Sequence, residues 1–284
     1  MADCSRCGRK LPAFSFGKNS DLCSFCKQEQ SDIQPGGHVS QLVPAWRVGP
    51  TVTMGIIGIN VAVFLAMAVG GVSPLNPTGQ DIVNWGANFG PYTFGVEHPE
   101  EAWRVLTSVF LHIGIIHLFI NMWSLWNLGR LAEQVYDKGT YLGSYLLCGI
   151  GGSIAATWHQ PLIPSAGASG AIFGLVGFLI TTFWMGQLPI APERSQAITR
   201  NLVQVAAINL FYGAVVTGIS NSAHVGGLFT GLVLGGLMAP RLTRDHRESR
   251  GGRFLIMGAV AIVLTILYQI AKRSVVPGLA EQLQ

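Results

Sequence analysis

GASGAIFG, residues 167–174, opens an apolar run that continues to residue 185, and its reading decides what kind of molecule this is. A serine framed by glycines at the mouth of an apolar helix has two explanations. Small side chains let membrane helices approach closely, and serine is among the residues used for that. Alternatively the hydroxyl is kept for chemistry, because polar groups at membrane depth are costly and mark functional sites. The remainder of the chain separates the two.

The surroundings are those of a membrane protein. Of 284 residues, 49% are hydrophobic and only 11% charged, with 36 glycines and a mean hydropathy of +0.42. A soluble domain needs far more surface charge. Apolar runs cover residues 53–71, 115–131, 141–157, 170–185, 202–218, 223–238 and 254–271. They predict seven spans, several near the short end of the roughly 17 to 25 residues that a crossing requires. Arginines and lysines then set the orientation, since cytoplasmic loops retain them. Arg6, Arg9, Lys10, Lys18, Lys27 and Arg47 precede the first span, whereas residues 72–103 carry no Lys or Arg. Arg130 and Lys138, Arg194 and Arg200, and the cluster Arg241 to Arg253 fall in alternate connections. The N-terminus is therefore expected inside, with the first span as its own insertion signal, because the polar opening segment does not resemble a cleavable leader. Lys272 and Arg273, after the seventh span, run against this scheme but are outweighed by the arginine cluster before it.

In this topology the second, fourth and sixth spans run in the same direction. Their leading ends carry His117 and Asn121, Ser169, and His224. Each has an ordinary explanation alone, as an interfacial histidine or a bridging asparagine, yet together they form a constellation at one depth. His224, Gly227, Gly231 and Gly235 share one helical face, and Gly170, Gly174 and Gly177 form a stripe beneath Ser169. Two such stripes let backbones nearly touch, which would bring Ser169 within reach of His224. A neutral imidazole about 2.6 to 3.2 Å from a serine hydroxyl can take its proton. No Asp or Glu stands in the fourth or sixth span to serve as a third member, so the residues offer a Ser-His dyad. The Ser169 amide at a helix N-terminus and the side chains of His117 and Asn121 could donate to an oxyanion.

Trp103-Arg104, HIGIIHLFINM (residues 112–122), GASGAIFG and AHVGGLFTG (residues 223–231) together resemble the rhomboid intramembrane serine proteases. The resemblance implies an all-α, polytopic bundle with a six-helix core over residues 53–240, followed by a basic loop over 241–253 and an added C-terminal span with its tail over 254–284. It implies Ser169 as nucleophile, His224 as base, and Gly167, His117 and Asn121 around the oxyanion. Phe173 would stack on the histidine, at a position where many relatives have tyrosine. Residues 72–114 resemble the family's partly embedded first loop, with Trp85, Phe89, Tyr92, Phe94 and Trp103 suited to the interface, and Arg104 and His112 holding it by hydrogen bonds. Implied partners are single-pass membrane proteins and the lipid bilayer, with no nucleic acid; no cofactor is expected for catalysis. An inactive relative that captures membrane proteins is the rival reading. A transporter fits less well, since the polar residues gather near one face. A bacterial inner membrane is the expected location, with the active site opening to the outside.

The N-terminal segment is a separate matter. Cys4, Cys7, Cys23 and Cys26 form two C-x2-C pairs with 15 residues between them. That is zinc-ribbon spacing, with four thiolates for one tetrahedral structural zinc ion. Two disulfides or a redox pair are the alternatives, disfavoured by a cytosolic location. Residues 1–30 are thus expected to form a zinc-ribbon-like domain able to dock a cytosolic partner, and residues 31–52 a linker.

Overall fold

The computed structural model describes residues 51–96, 99–185, 188, 190–216, 218–239 and 246–283, the side chains of 246–249 excepted. All lie in the second of two units into which the chain divides, Val48–Gln284. Among the described residues there is no strand, only an isolated bridge between Asn88 and Ser165. Helix α1 is Thr51–Val69. Loop 1 follows and contains α2 (Gly79–Asn84), α3 (Gly90–Thr93) and α4 (Arg104–Thr107), which continues as a 3-10 turn at Ser108–Phe110. The remaining helices are α5 (Ile115–Val135), α6 (Lys138–His159), α7 (Ser169–Met185), α8 (Pro192–Val215), α9 (Asn221–Met238) and α10 (His246–Leu283).

The seven long helices stand where the apolar runs predict them, but most reach further. The fifth run begins at residue 202, whereas α8 begins ten residues earlier, with Pro at the start of its first turn. Proline's fixed φ is already helical and its missing N–H is not needed there, so the helix starts in polar sequence that hydropathy does not mark. Helix α10 likewise extends at both ends of its apolar run and continues through Pro277. Helix α1 and the stretch Arg250–Leu283 are each long and apolar enough to cross a bilayer alone; the bent pair of α4 with its 3-10 turn and α5, at 91°, makes a third. Helix α7 is apolar but short, at 17 residues, and α6 is less apolar because polar residues such as Thr140, Ser144, Ser153 and Thr157 face inward.

Helix α7 is the central rod. Thirteen of its 17 residues are buried, from Gly170 through Phe183. A helix apolar on every side is one enclosed on every side. Around it Ile56, Leu125, Tyr141, Tyr145, Leu202 and Ala206 close one continuous core drawn from α1, α5, α6 and α8. At a rise of 1.5 Å per residue α7 measures about 25 Å, short of the roughly 30 Å hydrocarbon thickness. One end of it must therefore lie below the membrane surface.

Glycine sets the contact of α7 with α9. A Cβ on Gly227 would strike the Gly170 carbonyl, one on Gly231 the Gly174 carbonyl, and one on Gly235 the Phe178 carbonyl. Helix α6 joins the same contact: a Cβ on Gly152 would lie 2.7 Å from Ala223 O, and one on Gly226 would meet Ala155. Buried residues at three- and four-residue spacing on α10 (Met257, Val260, Leu264, Tyr268 and Ala271) form a second core with Phe94, Cys148, Phe178 and Leu234. The outward faces are apolar too. Ile208 is 67%, Phe211 71% and Val215 61% exposed on α8, and Phe119 67% and Trp123 64% exposed on α5. Such surfaces belong against lipid.

Loop 1 is fastened from within. Arg104, 5% exposed, donates from Nη1 to Val83 O (2.6 Å) and Ala87 O (3.0 Å), and from Nε to Glu101 (2.6 Å). The expected clamp is therefore present at Arg104, whose guanidinium also lies over the Tyr92 and Trp103 rings. The His112 ring is buried and packs tilted against His117 at 5.1 Å. Phe94 departs from the interfacial role, being 1% exposed and packed on Tyr268 at 5.5 Å. Trp85 and Trp103 remain exposed.

Candidate active site

Ser169 is the first residue of α7, where backbone N–H groups have no acceptor within the helix. The segment leading to it is tied to loop 1. Asn88 and Ser165 exchange both backbone hydrogen bonds (3.0 and 2.9 Å), Gly90 N donates to Pro161 O (2.8 Å) and Gly167 N to Ser108 O (2.9 Å). Asn88 Nδ2 adds a bond to Ser153 O of α6 (2.7 Å). Gly167 has φ +137, and a Cβ there would lie 2.6 Å from His117 Cε1 and 2.9 Å from its Nε2. Only glycine lets the chain turn into α7 while the His117 ring rests against its backbone.

His224 stands one turn into α9, whose first turn is capped when the Ser220 hydroxyl accepts from Ala223 N (3.4 Å). The glycine contact beneath carries it to the serine: His224 Nε2 lies 3.0 Å from Ser169 Oγ. The Phe173 ring, one turn below Ser169, lies parallel to the imidazole with centroids 4.2 Å apart and planes within 10°. His224 is 7% exposed while Ser169 is half-buried, so the hydroxyl is the more accessible of the two. His224 Nδ1 has no hydrogen-bond partner among the described residues. When Nε2 accepts the serine proton, Nδ1 must carry the other ring hydrogen, and stacking rather than a carboxylate fixes the ring plane.

His117 and Asn121 lie on α5 beside this pair. His117 Nδ1 accepts from Ile113 N (3.3 Å), which leaves Nε2 toward Gly167. Asn121 is 5% exposed and donates one amide hydrogen to His117 O (3.0 Å), with its second still available. The structure thus gathers Ser169, His224, Phe173, Gly167 and His117 through direct contacts, and Asn121 through His117. Cys4, Cys7, Cys23 and Cys26 lie outside the described residues, and among the described residues no group of three or more His, Cys, Asp or Glu could hold a metal. Sequence reasoning missed Asn88, Ser108 and Ser165, which hold the serine segment. Their partners are remote in sequence and their positions follow no periodic pattern.

An apolar exterior around a helical bundle defines an integral membrane protein, and a serine-histidine pair stands within it. Residues 99–241 match the rhomboid domain. The chain is similar to Rhomboid protease GluP of Bacillus subtilis (strain 168), 34% identical over 217 residues, covering 76% of this chain and 39% of the relative. It is also similar to RHOMBOID-like protein 4 of Arabidopsis thaliana, 32% identical over 178 residues (61% of this chain, 44% of the relative). RHOMBOID-like protein 2 of the same plant is 36% identical over 155 residues (55% and 48%). The chain spans less than half the length of these relatives. It belongs to the rhomboid family.

Proposed function

We propose that this protein is an intramembrane serine endopeptidase that cleaves single-pass membrane proteins in or beside their transmembrane helix. The observation that carries the proposal is the 3.0 Å approach of His224 Nε2 to Ser169 Oγ, with the Phe173 ring stacked on the imidazole. Ser169 Oγ attacks the scissile carbonyl carbon as His224 Nε2 accepts its proton. The carbonyl oxygen becomes an oxyanion that the Ser169 amide, His117 and Asn121 stabilise by hydrogen bonds. His224 returns the proton to the leaving amine, and water, deprotonated in turn by His224, hydrolyses the ester on Ser169. The Phe173 ring face favours the transient imidazolium. Because a helical substrate has its carbonyls bonded within the segment, it must unwind locally before attack. Helix-weakening residues near the cut therefore favour cleavage.

The site opens outward from a bacterial inner membrane, with the N-terminus cytosolic. There Cys4, Cys7, Cys23 and Cys26 hold one structural zinc in a head able to dock a cytosolic partner. The test of the catalytic pair is cleavage of a single-pass model substrate in detergent or liposomes. Ser169→Ala and His224→Ala are each expected to lower the rate at least about 10³-fold. Full activity in either variant removes the dyad. Wild type that binds the substrate without cutting it would point to a binding or trafficking role.

A further inference from the structure

The seventh long helix lies outside the six-helix core, yet its C-terminal half joins the network that holds the serine segment. The Tyr268 hydroxyl is 2.7 Å from Thr93 O and 2.8 Å from Glu100 Oε1, two acceptors for one proton. Lys272 Nζ bonds the other Glu100 oxygen (2.5 Å). Thr93 then donates its own hydroxyl to Asn88 Oδ1 (2.9 Å) and accepts from Phe89 N (3.2 Å). All four hydrogen-bonding groups of Asn88 are engaged: the side-chain oxygen by Thr93, the side-chain nitrogen on Ser153 O, and the backbone pair by Ser165. Ser165 is four residues before Ser169. Thr93 and Asn88 are 0% and 1% exposed, so water cannot replace a bond lost between them.

In its N-terminal half α10 is held as well. Arg253, 4% exposed, bonds Asp137 (3.0 Å), which caps α6 by accepting from Thr140 N (3.1 Å). A helix held in both its halves presents Tyr268 at a set height.

We propose that Tyr268 of α10 is a positioning residue for Ser169, acting through Thr93, Asn88 and Ser165, so that the added helix sets the geometry of the site it does not touch. The inference rests on the proposed role of Ser169. Without the Tyr268 hydroxyl, Thr93 and α3 settle differently, and the bridge carrying the Ser169 segment shifts with them. Misplacement of a reacting group by about 1 Å can cost a hundredfold in rate.

The test is the rate at which a fluorophosphonate labels Ser169 in the full chain, together with kcat and KM on a single-pass substrate. Tyr268→Phe keeps the ring on Phe94 and removes only the hydroxyl. Labelling rate and kcat should fall about tenfold or more, with KM within about twofold and the helical content unchanged. Thr93→Val should do the same and Thr93→Ser should restore the rate. The double variant Tyr268→Phe/Thr93→Val should lose little more than the worse single change, because both interrupt one path. Wild-type rates in Tyr268→Phe, losses that multiply in the double variant, or failure of Thr93→Ser to restore the rate would each overturn the inference. Wild type that takes no label at all, or takes it equally in Ser169→Ala, would instead remove the catalytic reading on which it rests.

Discussion

At the scale of the residue, the site works by enclosing a small number of polar groups so that each has one geometry. Among the described residues His224 has no carboxylate behind it; what holds its plane is a phenylalanine ring at 4.2 Å. Aromatic stacking of this kind contributes about 0.5–1.5 kcal/mol beyond simple burial. Phe173→Leu keeps the apolar volume and loses the stack, so its cleavage rate should fall about three- to tenfold with the fold intact. Phe173→Tyr should remain close to wild type, since the ring face is kept. Rates for the two variants on one substrate settle the point, and equal loss in both would show that stacking is not what matters. Ser169 and His224 were legible in the sequence because each heads a glycine stripe with helical period. Asn88, Thr93 and Tyr268 were not, since the Tyr268 contact joins residues 175 apart and nothing local marks either partner.

At the scale of the element, the proposed chemistry depends on how closely α7 and α9 approach. Lipid tails are as apolar as leucine, so burying large side chains gives little net attraction between membrane helices, and close packing of small residues takes its place. Gly231 faces the Gly174 carbonyl with no room for a Cβ. Gly231→Leu should destabilise the bundle by about 1–3 kcal/mol or more and separate the pair above it. Thermal unfolding in detergent should show a lower midpoint, accompanied by loss of labelling at Ser169. A variant with unchanged stability and labelling would mean that this contact does not set the site. The stripe was readable from the sequence as a period of three and four. The ends of α8 and α10 were not, because polar turns outside the apolar run are set by capping and contacts rather than by hydropathy.

At the scale of the whole molecule, the bundle is apolar both in its cores and on its outward faces, with a few polar groups enclosed between its helices. Composition alone revealed the class, and the order of apolar runs revealed the number of long helices. The packing of loop 1 did not follow from either, as Phe94 shows: an aromatic suited to a membrane interface is instead enclosed against α10. The cysteine head is separable in sequence from the core, being joined through polar residues that include Pro35, Gly36 and Gly37. Metal analysis of purified protein should find one zinc per chain, lost when Cys4 and Cys7 are replaced by serine. No metal, with all four thiols freely alkylated, would contradict the ribbon.

The most direct measurement is the mass of the intact protein after treatment with a fluorophosphonate, with the adduct located by peptide mapping. Wild type should gain one phosphonyl group on Ser169, and His224→Ala, with its serine retained and its fold intact, should gain almost none. An adduct formed equally well without His224, or found elsewhere on the chain, would contradict a serine activated by that histidine.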